Sequence, residues 1–375
     1  MAKKTNFEVN GRQYFRVTRT IGKKADGTPI RKTFYGSGIN EANQKADKYM
    51  NDIKNGLISN FEYVTIKDSM HTWLFDFLHN SSKIKPSTFQ RYEGIYRKYI
   101  KDSSIAGLRT YTFTSLQLQQ FYNDLDKRKY RYSQIKTLNT VLKVFFNWCI
   151  DNGYMLKNPC LNVNIKGSKT EVIKNNRKDV EILTEDEIKI IKEYVKGTDF
   201  ELVFLLDLAT GLRIGELLAL DWEHINLKKQ ELYVEKSVKE VYVYDSEEKR
   251  HIETIYQTPK TLNSFRTVSI PDAIIIILKQ IKNKEGLLFK DNLGNPLKAK
   301  NISAKWTKIL KKCNISHKKF HSIRHTYASM LLKNGIDIET VAELMGHSTI
   351  SITQIYLHSS NNQKKIAVNC LNNLL

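Results

Sequence analysis

The stretch Phe320-His321-Ser322-Ile323-Arg324-His325-Thr326 constrains the fold of this chain more than any other. Residues three apart share a helix face, so His321 and Arg324 set an imidazole beside a guanidinium. The same region invites a metal reading, because Cys313, His317, His321 and His325 recur every four residues. Asn314-Ile315-Ser316 and the pair Lys318-Lys319 interrupt that spacing as a break between helices would. No His-Glu-x-x-His or Cys-x-x-Cys pattern accompanies it, so no metal site is expected.

Three further patterns lie around this one. In Thr210-Gly211-Leu212-Arg213-Ile214-Gly215-Glu216-Leu217, Arg213 sits in an apolar segment with Glu216 one turn on. Such a pair is either an ordinary intrahelical ion pair or a rigid fork held ready for a phosphate. Thr258-Pro259-Lys260-Thr261 leads into Ser264-Phe265-Arg266-Thr267-Val268. Pro259 fits a strand end or turn, which puts Lys260 near a hairpin tip, either solubilising it or swinging over a substrate. Leu344-Met345-Gly346-His347-Ser348-Thr349 ends one helix at Gly346 and caps the next at Ser348 or Thr349. Tyr356 follows about two turns later, as core-edge packing or as a nucleophile.

In order and context, Arg213 with Glu216, Lys260, His321 with Arg324, Gly346-His347 and Tyr356 resemble the active-site boxes of the tyrosine recombinase (phage integrase) family. The resemblance is close over about residues 183 to 360, and no catalytic position departs from it. It is looser upstream, where a helical unit resembles the family's core-site-binding domain. Residues 1–60 resemble the arm-binding domain of integrases from temperate phages and conjugative transposons.

The resemblance implies a transesterification at a DNA phosphodiester that needs neither metal nor cofactor. Arg213 and Arg324 would clamp the non-bridging oxygens, His321 and His347 would shuttle protons, and Lys260 would protonate the departing 5′-hydroxyl. Tyr356 would become a 3′-phosphotyrosine, with Glu216 orienting Arg213. A free tyrosine, with a pKa of about 10, is only about one part in a thousand phenolate at neutral pH, so a strongly positive site is chemically apt. The resemblance also implies a homotetramer on core and arm attachment sites, a Holliday junction, and an excisionase or DNA-bending accessory protein. A type IB topoisomerase or a non-catalytic DNA-binding regulator are the alternatives. The first would use nearly the same site, whereas the second has no need of Tyr356, Lys260 and both arginines together.

Composition fits a DNA partner. The 375 residues carry 60 Lys plus Arg against 39 Asp plus Glu, a formal charge of +21. Lysines and arginines placed on phosphates release condensed counterions, although AT-biased coding also enriches lysine. An apolar content of 41% excludes wholesale disorder. No apolar run approaches the roughly 18 residues of a membrane span. Residues Met1 to Asn10 lack the apolar stretch of a secretory signal, and Cys149, Cys160, Cys313 and Cys370 are scattered. A cytoplasmic, nucleoid-associated protein of a bacterial host is expected.

The pattern predicts a mainly α chain with small β elements. Residues 1–60 form a three-stranded sheet plus a helix opened by Asn40, with nine bases against two acids in the first 40 positions. Alternation puts Tyr14, Arg16, Arg31 and Tyr35 on the face away from that helix, free to enter a major groove. Residues 61–163 read as four helices, the second opened by Thr88 and the third by Thr114. Arg97, Lys98, Lys136 and Lys143 lie off their apolar stripes, within reach of phosphates. A basic linker spans 164–182. A mostly helical catalytic domain spans 183–375, opened by the capping box Thr184-Glu185-Asp186-Glu187 and interrupted by a long hairpin over Leu232 to Ile255. Its tail, Asn362 to Leu375, would dock on a neighbouring protomer or on its own domain.

Overall fold

The N-terminal strands β1 (Phe7–Val9), β2 (Arg12–Lys23) and β3 (Pro29–Gly36) form an antiparallel sheet in the order β1-β2-β3. The structure is a computed structural model, and it describes residues 6–9, 11–23, 28–57, 62–81, 84–165, 180–258 and 265–356. The chain divides into two units, Met1–Arg177 with Tyr242–His251, and Lys178–Val241 with Ile252–Leu375.

In the first unit, the period-2 alternation of β2 and β3 buries Val17 and Phe34 beneath helix α1 (Ile39–Lys54), against Ala42, Ala46 and Tyr49. Registers Arg16↔Tyr35 and Thr20↔Arg31 place the opposite residues together on the other face, as the alternation predicts. Asn40 does not cap α1. Gly38 holds that position without a side-chain bond, and the Glu41 carboxylate instead accepts from the Ser37 amide and hydroxyl.

The next helices are α2 (Ile66–His71), α3 (Pro86–Ile95), α4 (Ser115–Lys127) and α5 (Tyr132–Asp151). The first two run on into wider π-helical turns, Thr72–Leu78 and Tyr96–Ile100. Thr88 lies inside α3, whose start is set by Lys85 and by Pro86 in the first turn, where its missing N–H costs nothing. Thr114 makes the expected capping box with Gln117 on α4. Their stripes converge on Trp73, whose ring lies 5.5 Å from Phe145 and 5.3 Å from Tyr92.

Residues 242–251 belong to this unit. The Tyr244 hydroxyl donates to Glu93 at 2.6 Å, and Glu247 accepts from Lys101 at 2.8 Å and pairs with His71 at 3.0 Å. This part of the predicted hairpin is thus tied to α2 and to the α3 segment.

The second unit opens with α6 (Glu185–Val195), capped by Thr184 and Glu187 as predicted, and continues through α7 (Glu201–Thr210) and the short α8 (Ile214–Leu217). Strands β4 (Ile225–Asn226), β5 (Glu231–Val234) and β8 (Arg266–Ser269) form one sheet, ordered β4-β5-β8. Strands β6 (Ser237–Tyr244) and β7 (Arg250–Gln257) form another. The single hairpin expected from Leu232 therefore breaks after Val234, because β5 pairs with β4 and β8. Helices α9 (Asp272–Gln280), α10 (Ala299–Lys312), α11 (Ser322–Lys333), α12 (Ile338–Met345) and α13 (Ile350–Thr353) complete the unit. Trp306 of α10 anchors the core against Phe200, Phe204 and Phe320, each large side chain contributing about 1.5–3 kcal/mol by burial. None of the described helices is long and apolar enough to cross a membrane.

Candidate active site

Two helix endings and two helix beginnings assemble the site. Helix α7 stops at Gly211, which adopts the left-handed conformation (φ 59°) that favours glycine. A side chain there would also strike the Tyr327 ring, 2.3 Å from the ideal Cβ position. The chain then turns into α8 with Arg213 at its N-cap. Arg213 Nη1 donates to Glu216 Oε1 at 2.7 Å, and the Arg213 amide donates to Glu216 Oε2 at 2.9 Å.

The second ending is that of α12, where Gly346 is left-handed (φ 62°). The Gly346 and His347 amides turn back to the Glu343 and Ala342 carbonyls. That leaves the next three carbonyls, Leu344, Met345 and Gly346, at the negative end of the helix. Each meets one arginine. Arg266 Nε donates to Leu344 O at 2.8 Å, Arg324 Nη2 donates to Met345 O, and Arg213 Nη2 donates to Gly346 O at 3.0 Å. Arg324 Nη1 also donates to Gly211 O at 2.6 Å, which ties the two endings together. Arg324 is 1% exposed, whereas the Arg213 side chain is 39% exposed.

Glu216 holds the arginines in place. Its Oε2 accepts from Arg266 Nη2 at 2.9 Å as well as from the Arg213 amide. Burial alone would raise its pKa, but the charges of Arg266 and Arg213 take it down to about 2. Beneath lies Asp207, fully buried, with no hydrogen-bond partner for Oδ1 among the described residues. Burial holds its pKa well above the ordinary carboxylate value, against the pull of Arg324.

The imidazoles come from α11 and from the turn after α12. Surrounding protein, then the charges of His325, Arg324 and Arg213, drive the His321 pKa down to about 4, although the residue itself is exposed. Burial, then Arg324, Arg213 and Arg266, do the same to His347, also to about 4. His347 Nδ1 pairs with the Thr353 hydroxyl at 2.8 Å. Thr349 occupies the N-cap of α13 without the expected side-chain cap.

Tyr356 is 5% exposed and packs against Ala328, Val341 and Met345. Its ring lies parallel to that of His347 at 6.5 Å, and its hydroxyl meets His325 Nδ1 at 2.7 Å. Burial raises its pKa, and the Arg324 and Arg213 charges oppose that rise.

The sequence candidates Arg213, Glu216, Arg324, His347 and Tyr356 thus share one network of bonds and stacked rings, with His321 drawn in through its ring contact with His325 at 4.6 Å. Lys260 and the tail 362–375 lie outside the described residues. Among the described residues, the ligand atoms close enough to hold a metal ion belong to Asp221, Glu223 and His224, none of them a catalytic candidate.

Two members of the network had no assigned role in the sequence. Arg266 carried a signal, because it shares the inward face of β8 with Val268, where a lone charge implies a buried partner. His325 carried none, since Tyr356 lies 31 positions away.

In the first unit, Arg16, Arg31 and Tyr35 are exposed, Tyr14 is half-buried, and the Arg16 guanidinium covers the Phe7 ring at 4.5 Å. Arg97, Lys98, Lys136 and Lys143 are all exposed. Arg97 pairs with Glu93 at 3.0 Å, and Lys98 lies over the Tyr99 and Tyr130 rings.

Residues 181–363 match the phage integrase family. Over the full length of both chains, the sequence is 44% identical to a "Tyrosine recombinase XerC-like" protein of Caldanaerobacter subterraneus subsp. tengcongensis. The chain belongs to the phage integrase family of tyrosine recombinases. Among solved structures, this recombinase resembles the Tn1549 transposon integrase in complex with a circular intermediate DNA. That match has a TM-score of 0.64 at 18% identity, over 82% of this chain and 99% of that one. It also resembles a lambda integrase tetramer bound to a Holliday junction, with a TM-score of 0.56 at 17% identity, over 94% and 97% of the two chains. Membership makes this a site-specific DNA recombinase, and the network of three arginines, Glu216 and Tyr356 is its candidate centre.

Proposed function

We propose that this recombinase cuts and rejoins the ends of a mobile element by attack of Tyr356 on a DNA phosphodiester, forming a 3′-phosphotyrosine. The observation that carries the reading is the joining of Arg213 and Arg324 to neighbouring carbonyls beside Tyr356. A guanidinium has five N–H donors, so the two that Arg324 spends on Gly211 and Met345 leave others for an oxyanion. Pre-set donors of this kind stabilise charge developing in the transition state, and losing one costs on the order of 100- to 1000-fold in rate.

In this reading Arg213 and Arg324 hold the non-bridging oxygens. His321 and His347, both neutral at pH 7, become donors as the phosphate approaches. Lys260 protonates the leaving 5′-oxygen. The aryl ester keeps the energy of the broken bond, so a second 5′-hydroxyl reverses the step.

Four strands must be exchanged, and the lambda integrase tetramer on a Holliday junction supports a homotetramer here. The exposed sheet face with Arg16, Arg31 and Tyr35 suits arm sites, and the helices with Lys136 and Lys143 suit core sites. An excisionase or DNA-bending protein would set direction, in the bacterial cytoplasm.

The test uses nicked, labelled DNA spanning the joined ends of the parent element, incubated in EDTA with wild type and with Tyr356→Phe. A covalent protein–DNA band with wild type alone is expected. A band that survives in Tyr356→Phe would remove Tyr356 as nucleophile, and, on a separate closed supercoiled plasmid carrying the same site, relaxation without strand exchange would turn the reading towards a topoisomerase.

A further inference from the structure

We propose that His325 accepts the phenolic proton of Tyr356 during cleavage and returns it during joining. The proposal rests on Tyr356 being the nucleophile. A general base must lie within hydrogen-bond reach of the proton it removes, and His325 Nδ1 stands 2.7 Å from the Tyr356 hydroxyl. Among the described residues, neither of the other two imidazoles makes a hydrogen bond to that hydroxyl. His347 Nδ1 is engaged by Thr353, and the parallel His347 ring is 6.5 Å from that of Tyr356, centroid to centroid. His321 meets the His325 ring edge-on.

The surroundings suit a proton acceptor. His325 is half-buried, and burial followed by the neighbouring Arg324 charge keeps its pKa below the ordinary histidine value, with Glu181 opposing. The charged and titratable groups facing the pair are Arg324, His321, Glu181, His347 and Arg213. With its pKa held below the ordinary histidine value, the ring is mainly neutral at pH 7, and in the tautomer protonated on Nε2 its Nδ1 accepts from the tyrosine O–H, the arrangement the proposal requires. Apolar packing on Ala328, Val341 and Met345 holds the phenol ring in that orientation.

In cleavage the Tyr356 Oη–P bond forms, the P–O5′ bond breaks, and the phenolic proton passes to His325 Nδ1. The 5′-oxygen takes its proton from a separate acid, Lys260 in the reading above. In joining, an incoming 5′-hydroxyl forms the new P–O5′ bond as the Oη–P bond breaks, its proton returns to the group that served as acid in cleavage, and His325 protonates the departing phenolate.

A 5′-bridging phosphorothiolate separates the two proton transfers, because sulfur leaves without being protonated. Single-turnover cleavage of ordinary and phosphorothiolate DNA by wild type, His325→Gln and Tyr356→Phe is the experiment. His325→Gln keeps a hydrogen-bonding group but takes no proton at neutral pH. It is expected to lose on the order of 100-fold on both substrates while binding DNA like wild type. Its rate should climb about tenfold per pH unit towards the tyrosine's own pKa. Cleavage at the wild-type rate, or restoration by the phosphorothiolate, would overturn the proposal. Covalent product from Tyr356→Phe would instead overturn the nucleophile reading beneath it. Should the glutamine variant not fold, the wild-type profile on phosphorothiolate DNA decides. A limb below pH 6.5 followed by a plateau supports His325, and a rise continuing to pH 9 refutes it.

Discussion

Arg266 and Glu216 meet at 2.9 Å with their side chains only 4% and 5% exposed, and the same guanidinium holds the Leu344 carbonyl at 2.8 Å. A buried pair of this kind fixes geometry more than it adds stability, but removing one partner strands the other. Here the stranded groups would be a carboxylate that also aims Arg213 and a carbonyl at the end of α12.

Arg266→Ala is expected to destabilise the chain by about 3–5 kcal/mol in urea unfolding. In single-turnover cleavage it should cost about 100-fold. Arg266→Lys cannot span both partners as a fork does and should recover only part of either loss. Full activity in Arg266→Ala would mean that Glu216 positions Arg213 unaided.

Acid stability should report on Glu216. Its folded pKa of about 2 lies below the ordinary 4.5, so the unfolded chain binds the proton more readily. The stabilisation is complete above about pH 4.5 and disappears as the pH falls towards 2. Glu216→Gln should therefore lower stability at pH 7 and flatten the pH dependence between those limits, measured by thermal melting across the series. An unchanged acid limb would place the titration elsewhere.

DNA binding should take up protons. His321 and His347 have pKa values of about 4 in the free protein, and a phosphate beside them favours the charged imidazole. Calorimetry between pH 5 and 6 in buffers of different ionisation enthalpy should show net uptake, reduced in His347→Gln. Affinity should weaken as the pH rises through the bound-state values. Binding without proton uptake would argue that neither ring meets phosphate.

The N-terminal sheet offers a test in salt. Removing one phosphate contact lowers the slope of log K against log salt by about one. Arg16→Ala is expected to do so for arm-site DNA while leaving cleavage of a core-only substrate unchanged, by titration at several salt concentrations. An unaltered slope would leave that face simply solvated.

Helix and strand identities were largely legible, because alternation around Val17 and Phe34 and the stripes meeting at Trp73 follow from chain periodicity. Starts were less so. Asn40 and Thr88 look like caps, yet Ser37 with Glu41 and Pro86 set those helices, since several short polar residues compete for the same amides. The reading of Leu232 to Ile255 as one hairpin failed because alternation shows that a segment is a strand without naming its partner.

By itself the sequence singled out the candidates for chemistry: two arginines, a lysine, two histidines and a tyrosine, with a supporting glutamate, in a fixed order on basic, mostly helical units. Helix periodicity and the order of the motifs are local properties of the chain, and both can be read along it. Only the tertiary structure decided that three arginines share the Leu344, Met345 and Gly346 carbonyls where α12 ends, that Arg266 locks Glu216, and that His325 meets Tyr356. These contacts join positions 21 to 133 residues apart, and those to backbone exist because a folded helix end leaves carbonyls that something distant must satisfy.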